Sequence, residues 1–291
     1  MSRHWLVIDT PNLAWKAYHT TGGLDKGVIF GVLRQFIHLH RVFCASSTVW
    51  CFDMGKQRRQ SAYPDYKKTR RLENMTEKDR NEKLGVIDQI NALKNDILPP
   101  LGFRNILSQK GFEADDLIAR TCCDLRNGDT ATVVSSDKDF YQILTSRVKI
   151  WNGRTILTDK TFVLEYGFLP YLWSNLLAFV GGHDDIEGIK GVGEVIASSY
   201  LRGKNPKDAR RAHKKGWERI DSEEGQKIKK RNLPIVTIPY PGTKSFPLND
   251  DYLNPVTWDK TCEEMDLKSL LGLCPPSNLE VSLSPQEVGM P

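Results

Sequence analysis

The sequence predicts an α/β fold with a mainly parallel central sheet flanked by helices, and three observations carry that expectation. Strand-like runs at 4–9, 47–53, 131–136 and 147–151 alternate with helical patterns near 27–43, 84–98, 113–126 and 138–144, the alternation that parallel strands joined by helical crossovers produce. The runs Trp5-Leu6-Val7-Ile8, Val49-Trp50-Cys51-Phe52 and Ala131-Thr132-Val133-Val134 are apolar almost throughout, as strands covered on both faces are. Acids stand where these runs stop: Asp9, Asp53, and the pair Asp137 and Asp139, with the group Glu113-Ala114-Asp115-Asp116 at the start of a helical pattern.

In a parallel sheet the carboxyl ends of the strands share one edge, and ligands bind there. The acids are therefore expected to converge. Carboxylates crowd together only where protons or cations offset their repulsion, and an oxygen-only set favours a hard divalent cation such as Mg²⁺ or Mn²⁺. The helix beginning at Glu113 turns Leu117, Ile118, Thr121, Cys122 and Leu125 inward. Its acids fall in the first turn, where the helix dipole favours negative charge. Plain helix capping would account for one of these acids, not for three in four residues.

At 291 residues the chain is long enough for one large domain or two closely packed ones. Formal charge is only +5, but it is segregated. Residues 56–83 carry ten Lys/Arg against five Asp/Glu, and residues 202–231 carry twelve against five. Basic arms around an acidic centre fit a polyanion held at a metal site; two solvated helical faces are the plainer account. The six cysteines lack the close pairing of a metal site and read as thiols in a reducing compartment. No histidine has a ligand-spaced partner. The longest apolar stretch, Leu169 to Val180, is too short to span a bilayer. A soluble, intracellular protein is expected, with no membrane partner.

From about 165 the pattern changes to short helices broken by glycine. The run Gly188-Ile189-Lys190-Gly191-Val192-Gly193 follows Asp184-Asp185 and joins two helices through a turn whose bare amides suit a phosphate. Leu233 to Ile238 reads as a last strand or extended segment, and Pro275 to Pro291 as a tail or surface wrap.

Taken together these residues resemble the structure-specific 5′ nucleases: flap endonucleases, bacteriophage 5′-exonucleases and the 5′-nuclease domain of bacterial DNA polymerase I. The resemblance runs from Asp9 to about Thr237. Leu6-Val7-Ile8-Asp9 with Ala17-Tyr18-His19 looks like the family's opening strand and helix, and Gly27-Val28-Ile29-Phe30-Gly31 like its next helix. Phe52-Asp53, Arg59 and Tyr66-Lys67-Lys68-Thr69-Arg70 match its Phe-Asp, Arg and Tyr-Lys-x-x-Arg pattern. Gly111 to Ile118 and Asp137-Lys138-Asp139-Phe140 match its two central acidic motifs, and Asp184-Asp185-Ile186 through Gly193-Glu194 its last element and the helix-two-turn-helix that follows. One departure is Gly181, which stands where members carry the first of two acids; a local gap would instead move Asp184 into that place.

The resemblance implies a PIN-like core over 1–165 that includes a helical arch at 56–98, then a helix-two-turn-helix region and a C-terminal segment packing back over 166–291. It implies a free-standing, Mg²⁺- or Mn²⁺-dependent flap endonuclease and 5′-3′ exonuclease, monomeric, in the cytoplasm of a bacterial or phage-infected cell. Its substrate would be DNA with a 5′ flap or 5′ end at a junction, or an RNA–DNA hybrid, in replication or repair. Asp9, Asp53, Glu113 and Asp115 would form one metal position. Asp137, Asp139 and Asp184 would form a second, weakened by Gly181, with Asp116 and Asp185 nearby. Lys67 would stabilise the transition state, Arg70 and Arg59 would clamp the scissile region, and Tyr66 would stack on a terminal base. Lys67 and Arg70 are expected one turn apart on a helix. Lys68, Arg71, Gly188, Lys190, Gly191 and Gly193 would contact DNA, with K⁺ implied at the glycine turn. A PIN-type ribonuclease, and a junction-binding protein with weakened catalysis, are the competing readings.

Overall fold

The computed structural model describes residues 2–21, 24–182, 184–203 and 211–276. The tail expected at Pro275 to Pro291 lies largely outside these residues, as do His183 and part of the second basic window.

Six strands form one sheet in the order β3-β2-β1-β4-β5-β6: β1 His4–Asp9, β2 Ser47–Cys51, β3 Asn105–Leu107, β4 Thr130–Val134, β5 Val148–Trp151 and β6 Ile156–Leu157. The first five are mutually parallel, and β6 returns antiparallel to β5. Alternation along β1 shows why the strands are apolar on both sides. Trp5 and Val7 enter one core with Val49, Cys51, Ala131 and Val133, whereas Leu6 and Ile8 enter another with Trp50 and Val134.

The second core lies beneath α1 (Thr10–Thr21) and α2 (Gly27–Phe43), the latter bounded as its pattern indicates. After β2 come α3 (Gln57–Ala62), α4 (Glu77–Ala92), a π-helical turn at Leu93–Ile97, and α5 (Leu98–Leu101). The first core lies under α6 (Ala114–Cys123), α7 (Asp159–Tyr166) and α8 (Trp173–Val180). The inward face expected of α6 is buried at each of its five positions, from Leu117 to Leu125. A short ladder then pairs β7 (Gly181–Gly182) with β8 (Ile186–Glu187). It is followed by α9 (Glu194–Leu201), α10 (Arg211–Asp221), α11 (Glu223–Val236) and α12 (Pro255–Glu264). The first core also takes in Phe168, Trp173, Ile189, Ala197 and Ile220, so the boundary expected at 165/166 falls inside continuous packing.

Two local expectations are corrected. Leu233 to Val236 is the last turn of α11, not a strand, even though Pro234 lies inside it. Ile235 and Val236 bury with Ala178 of α8, Ile186 and Tyr66, and that packing outweighs β-branched propensity. Residues 66–70 form turns, not a helix, and Lys67 sits in the left-handed region at φ 51°. The Lys67 amide instead donates to the Asp184 carbonyl at 2.9 Å.

Candidate active site

At the carboxyl edge of the sheet lies a cleft of about 640 Å³. Asp115, Asp137, Asp139 and Asp184 line it with Asn12, Arg59, Tyr66 and Arg70, over an apolar floor that includes Leu177, Val180, Ile235 and Val236. Asp9, at the end of β1, is buried; Ser135 Oγ donates to it at 2.7 Å and the Asn12 amide at 3.2 Å. Asp53, exposed just past β2, accepts the Ala114 amide at 2.7 Å and lies near enough to Asp9 to act on its charge. Asp137 caps the short 3₁₀ turn after β4 by accepting the Asp139 amide at 2.9 Å.

The nine expected acids separate into two groups. Four are already engaged. Asp116, fully buried, takes the Arg59 guanidinium on both oxygens at 2.6 and 2.7 Å, along with the Tyr240 amide at 2.8 Å. Glu113 takes Lys67 Nζ at 2.6 Å, Tyr66 Oη at 2.8 Å and Arg59 at 3.4 Å. Asp184 takes Arg70 at 3.2 Å and Lys67 at 3.5 Å, and Asp185 takes the Thr69 amide and hydroxyl, each at 2.8 Å. Asp9, Asp53, Asp115, Asp137 and Asp139, in contrast, have no Lys or Arg partner among the described residues.

These contacts correct several expected roles. Both oxygens of Asp116 are engaged by Arg59 and the Tyr240 amide, and Arg59, 4% exposed and donating through Nε to the Ile235 carbonyl, is a buried cation in the cleft wall. Asp185 pins the 66–70 turn through the Thr69 amide and hydroxyl. Tyr66 is 4% exposed, with Lys67 over one ring face at 5.1 Å, so it presents no face to a base. Its hydroxyl orients Glu113. Lys67 and Arg70 do meet at one anion, as their spacing indicates, but from a turn, and the anion is Asp184.

Gly181 also finds its reason. At φ +73° it faces the Ile186 carbonyl and the Gly188 amide so closely that a Cβ would collide with both. No acid fits there. Gly188 is bare for the same reason, against the Val180 carbonyl. Gly191 faces Arg219, whose guanidinium donates to the Lys190 carbonyl at 3.0 Å; only Gly193 of the turn has open space beside it. One carbonyl of the turn is thus satisfied by an internal cation.

Burial sets the electrostatics. Asp9 is pushed up to about 7 by burial, against the Ser135 and Asn12 hydrogen bonds and with help from Asp53 and Asp137. Burial, then Asp137 and Asp184, raises Asp139 to about 7, and burial with the Asp9 charge raises Asp115 well above the carboxylate range. Burial also opposes ionisation of Glu113, but Lys67 and Arg59 outweigh it and hold the carboxyl low. Burial works against the charge of Lys67, but Glu113, Tyr66, Asp184 and Asp115 together outweigh it and raise the amine well above its usual range. Among the described residues no three such side chains close around an ion. The unpartnered, oxygen-only set still has the chemistry of a divalent-cation site.

Sequence reasoning passed over Asn12, Ser135 and Ser136. Asn12 Nδ2 donates to Ser136 Oγ at 3.2 Å, which ties the first turn of α1 to the loop after β4 next to Asp9. Their position just after or just before the acids was the available signal.

Residues 4–167 match the family model of the 5′-3′ exonuclease N-terminal, resolvase-like domain. The chain belongs to this family. Among its relatives, the 5′-3′ exonuclease of Bacillus subtilis is 28% identical over 68% of this chain and 69% of its own length. DNA polymerase I of Mycobacterium tuberculosis is 30% identical over 67% of this chain, which spans only 22% of that polymerase. The fold is that of T5 5′-exonuclease, solved with zinc bound (TM-score 0.66, 19% identity, 81% of this chain and 90% of that one). It also resembles the catalytic core of Rad2 in complex with DNA substrate (TM-score 0.57, 11% identity, 94% and 92%). The PIN-like, mainly parallel sheet is common to this 5′-3′ exonuclease family member and both structures. No helix among the described residues is long and apolar enough to cross a membrane.

Proposed function

We propose that this chain is a divalent-metal-dependent, structure-specific 5′ nuclease, acting as a flap endonuclease and 5′-3′ exonuclease on DNA near junctions between single and double strand. One observation carries the reading: Asp115, Asp137 and Asp139, without cationic partners among the described residues, line a cleft that Arg70 also lines, and Asp9 lies close enough to feel the charges of Asp53 and Asp137. Asp9, Asp53, Asp115, Asp137 and Asp139 would hold Mg²⁺ or Mn²⁺. When bound, such ions neutralise phosphate charge and supply the nucleophile at neutral pH.

The chain's own residues do the rest. Lys67 stays protonated, so it acts as a fixed positive charge for the transition state and not as a base. Arg70 adds a planar donor beside it. Lys67 is held on Glu113 and Asp184, and Arg70 on Asp184; both are exchanged onto phosphate oxygens when substrate enters. Segment 56–98 forms the arch over a single-stranded 5′ arm, and the helices from α9 to α11 grip duplex backbone without reading bases. K⁺ at the glycine turn would share it with Arg219, which already donates to the Lys190 carbonyl.

The test is cleavage of a 5′-labelled flap, a nicked duplex, a blunt duplex and an RNA hairpin with Mg²⁺, Mn²⁺ or EDTA. Metal-dependent cutting at the flap junction is expected. Cutting of the hairpin alone would make the chain a ribonuclease, and binding without cutting would make it a junction-binding protein. Lys67→Ala should lower single-turnover cleavage by about 10²–10³ with affinity nearly unchanged; normal cleavage by that variant would reduce Lys67 to a structural partner of Glu113. Metal titration should show one tight and one weak requirement, because Asp184 is already neutralised by two cations.

The raised carboxyls of Asp9 and Asp139 set a pH dependence. A folded-state value of about 7 against about 3.9 unfolded favours the metal-free fold fully below the lower value, and this contribution is lost as pH rises through about 7. A divalent cation needs the ionised forms, so its stabilising increment runs the other way and shrinks as pH falls through about 7. Thermal melts at pH 5.5 and 8, with and without Mg²⁺, measure both; a Mg²⁺ increment equal at the two values would refute the assignment.

A further inference from the structure

Beside the cleft, and sharing no lining residue with it, lies a groove of about 520 Å³ bounded by Gln57, Arg58, Gln109, Lys110, Gly111, Phe112 and Lys244. No acid lines it. The side chains of Arg58, Lys110 and Lys244 form no ion pair among the described residues. Three unpaired cations around one depression repel one another unless an anion lies between them, and their summed field draws one in.

The frame that holds them is built. The Gly111 amide donates to the Met54 carbonyl at 2.8 Å and the Met54 amide to Phe112 at 3.1 Å, a short ladder between the loop after β2 and the turn before α6. Gln109 joins that turn to the C-terminal segment: its Nε2 donates to the Gly242 carbonyl at 3.0 Å, and its Oε1 accepts the Lys244 amide at 2.9 Å. The Arg58 guanidinium lies 5.8 Å over the buried Phe112 ring, a cation–π contact that fixes its direction without neutralising it. The ladder's next residues are Asp53 and Glu113. One wall of the groove is therefore the segment that carries two acids of the site.

We propose that this groove is a second DNA-backbone site, in which Arg58, Lys110 and Lys244 contact successive phosphates of the strand leaving the cleft on the Asp53 side. This rests on the nuclease reading. Gln57 and Gln109 add amide donors, and the absence of an exposed aromatic face makes the contact one of charge and spacing, without base stacking. It is separate from the basic window of α10 and α11, so bound DNA is held at two places with the cleft between them.

The experiment measures affinity for labelled flap DNA across a KCl series in EDTA, where nothing is cut, for the parent chain and for the triple variant Arg58→Gln/Lys110→Gln/Lys244→Gln. Each lost phosphate contact lowers the slope of log K against log[salt] by about 0.9 on duplex and about 0.7 on a single strand, so a fall of about 2–2.7 is expected for three. Lys260→Gln, remote on α12, serves as the control and keeps the parent slope. If the triple variant unfolds, Lys110→Glu alone, at an exposed turn, must still weaken binding and lower the slope. Trimming the single-stranded arm or either duplex arm then identifies the strand, since the variant and parent converge on the substrate that lacks it. An unchanged slope in the folded variants overturns the groove. A parent chain that neither binds nor cuts junction DNA overturns the nuclease reading, and the groove with it.

Discussion

Asp139→Asn should lower cleavage of a 5′-flap substrate on the order of 10³-fold or more while affinity for that substrate stays level or rises. The substitution is isosteric, and the contacts that hold this turn are made by the backbone: the Asp139 amide donates to Asp137 and its carbonyl accepts Gln142. The fold should therefore survive. What changes is a negative charge facing the cleft. Its loss removes a ligand from the divalent site, so that the neutralisation the scissile phosphate requires is no longer assembled. It also removes repulsion towards a polyanion, so binding does not suffer. Single-turnover cleavage and equilibrium binding, measured on the same preparation, separate the two effects. A variant that melts far below the parent would show that the carboxylate holds the turn, and one that cuts at the parent rate would remove Asp139 from the site.

Asp116→Ala should act on stability. Arg59 and Asp116 form a buried, two-pronged pair, and deleting the acid leaves an arginine with 4% exposure and no charge partner except Glu113 at 3.4 Å. It also strands the Tyr240 amide. Removing one member of a buried pair costs about 3–5 kcal/mol, which at this chain length corresponds to a fall in Tm on the order of 10 °C. Replacing both partners by apolar residues, Arg59→Met with Asp116→Leu, should recover much of the loss, because no charge is then left buried. The contrary result is equally legible: an Asp116→Ala chain with the parent Tm but weakened Mg²⁺ affinity would return Asp116 to the metal site.

This pair shows where the motif and the structure part. In the sequence, Asp115 and Asp116 are adjacent acids of one motif, and nothing local distinguishes them. On a helix, neighbours point about 100° apart, so Asp115 looks into the cleft while Asp116 looks down onto Arg59. Which of the two is free depends on an arginine more than fifty residues earlier in the chain. Tyr66 is a similar case. Basic neighbours in sequence made it read as an exposed ring, yet the left-handed turn at Lys67 folds it under Glu113, against Ile235 and Val236. The error at Leu233 to Ile238 has the same origin, since a short apolar run takes the periodicity of whatever surface it meets.

The order of apolar runs and the acids that end them were enough to determine a parallel sheet with acidic residues along its carboxyl edge, because strand burial and strand direction are imposed by local pattern and crossover length. Glycine at 181 looked like a missing ligand; only the crossing of two backbone segments showed that no side chain has room there. Which acids are free and which are spent on Arg59, Lys67, Arg70 and Thr69 was likewise decided by the tertiary structure alone. Charge pairing acts through space at a few ångströms, between residues whose separation along the chain carries no record of it.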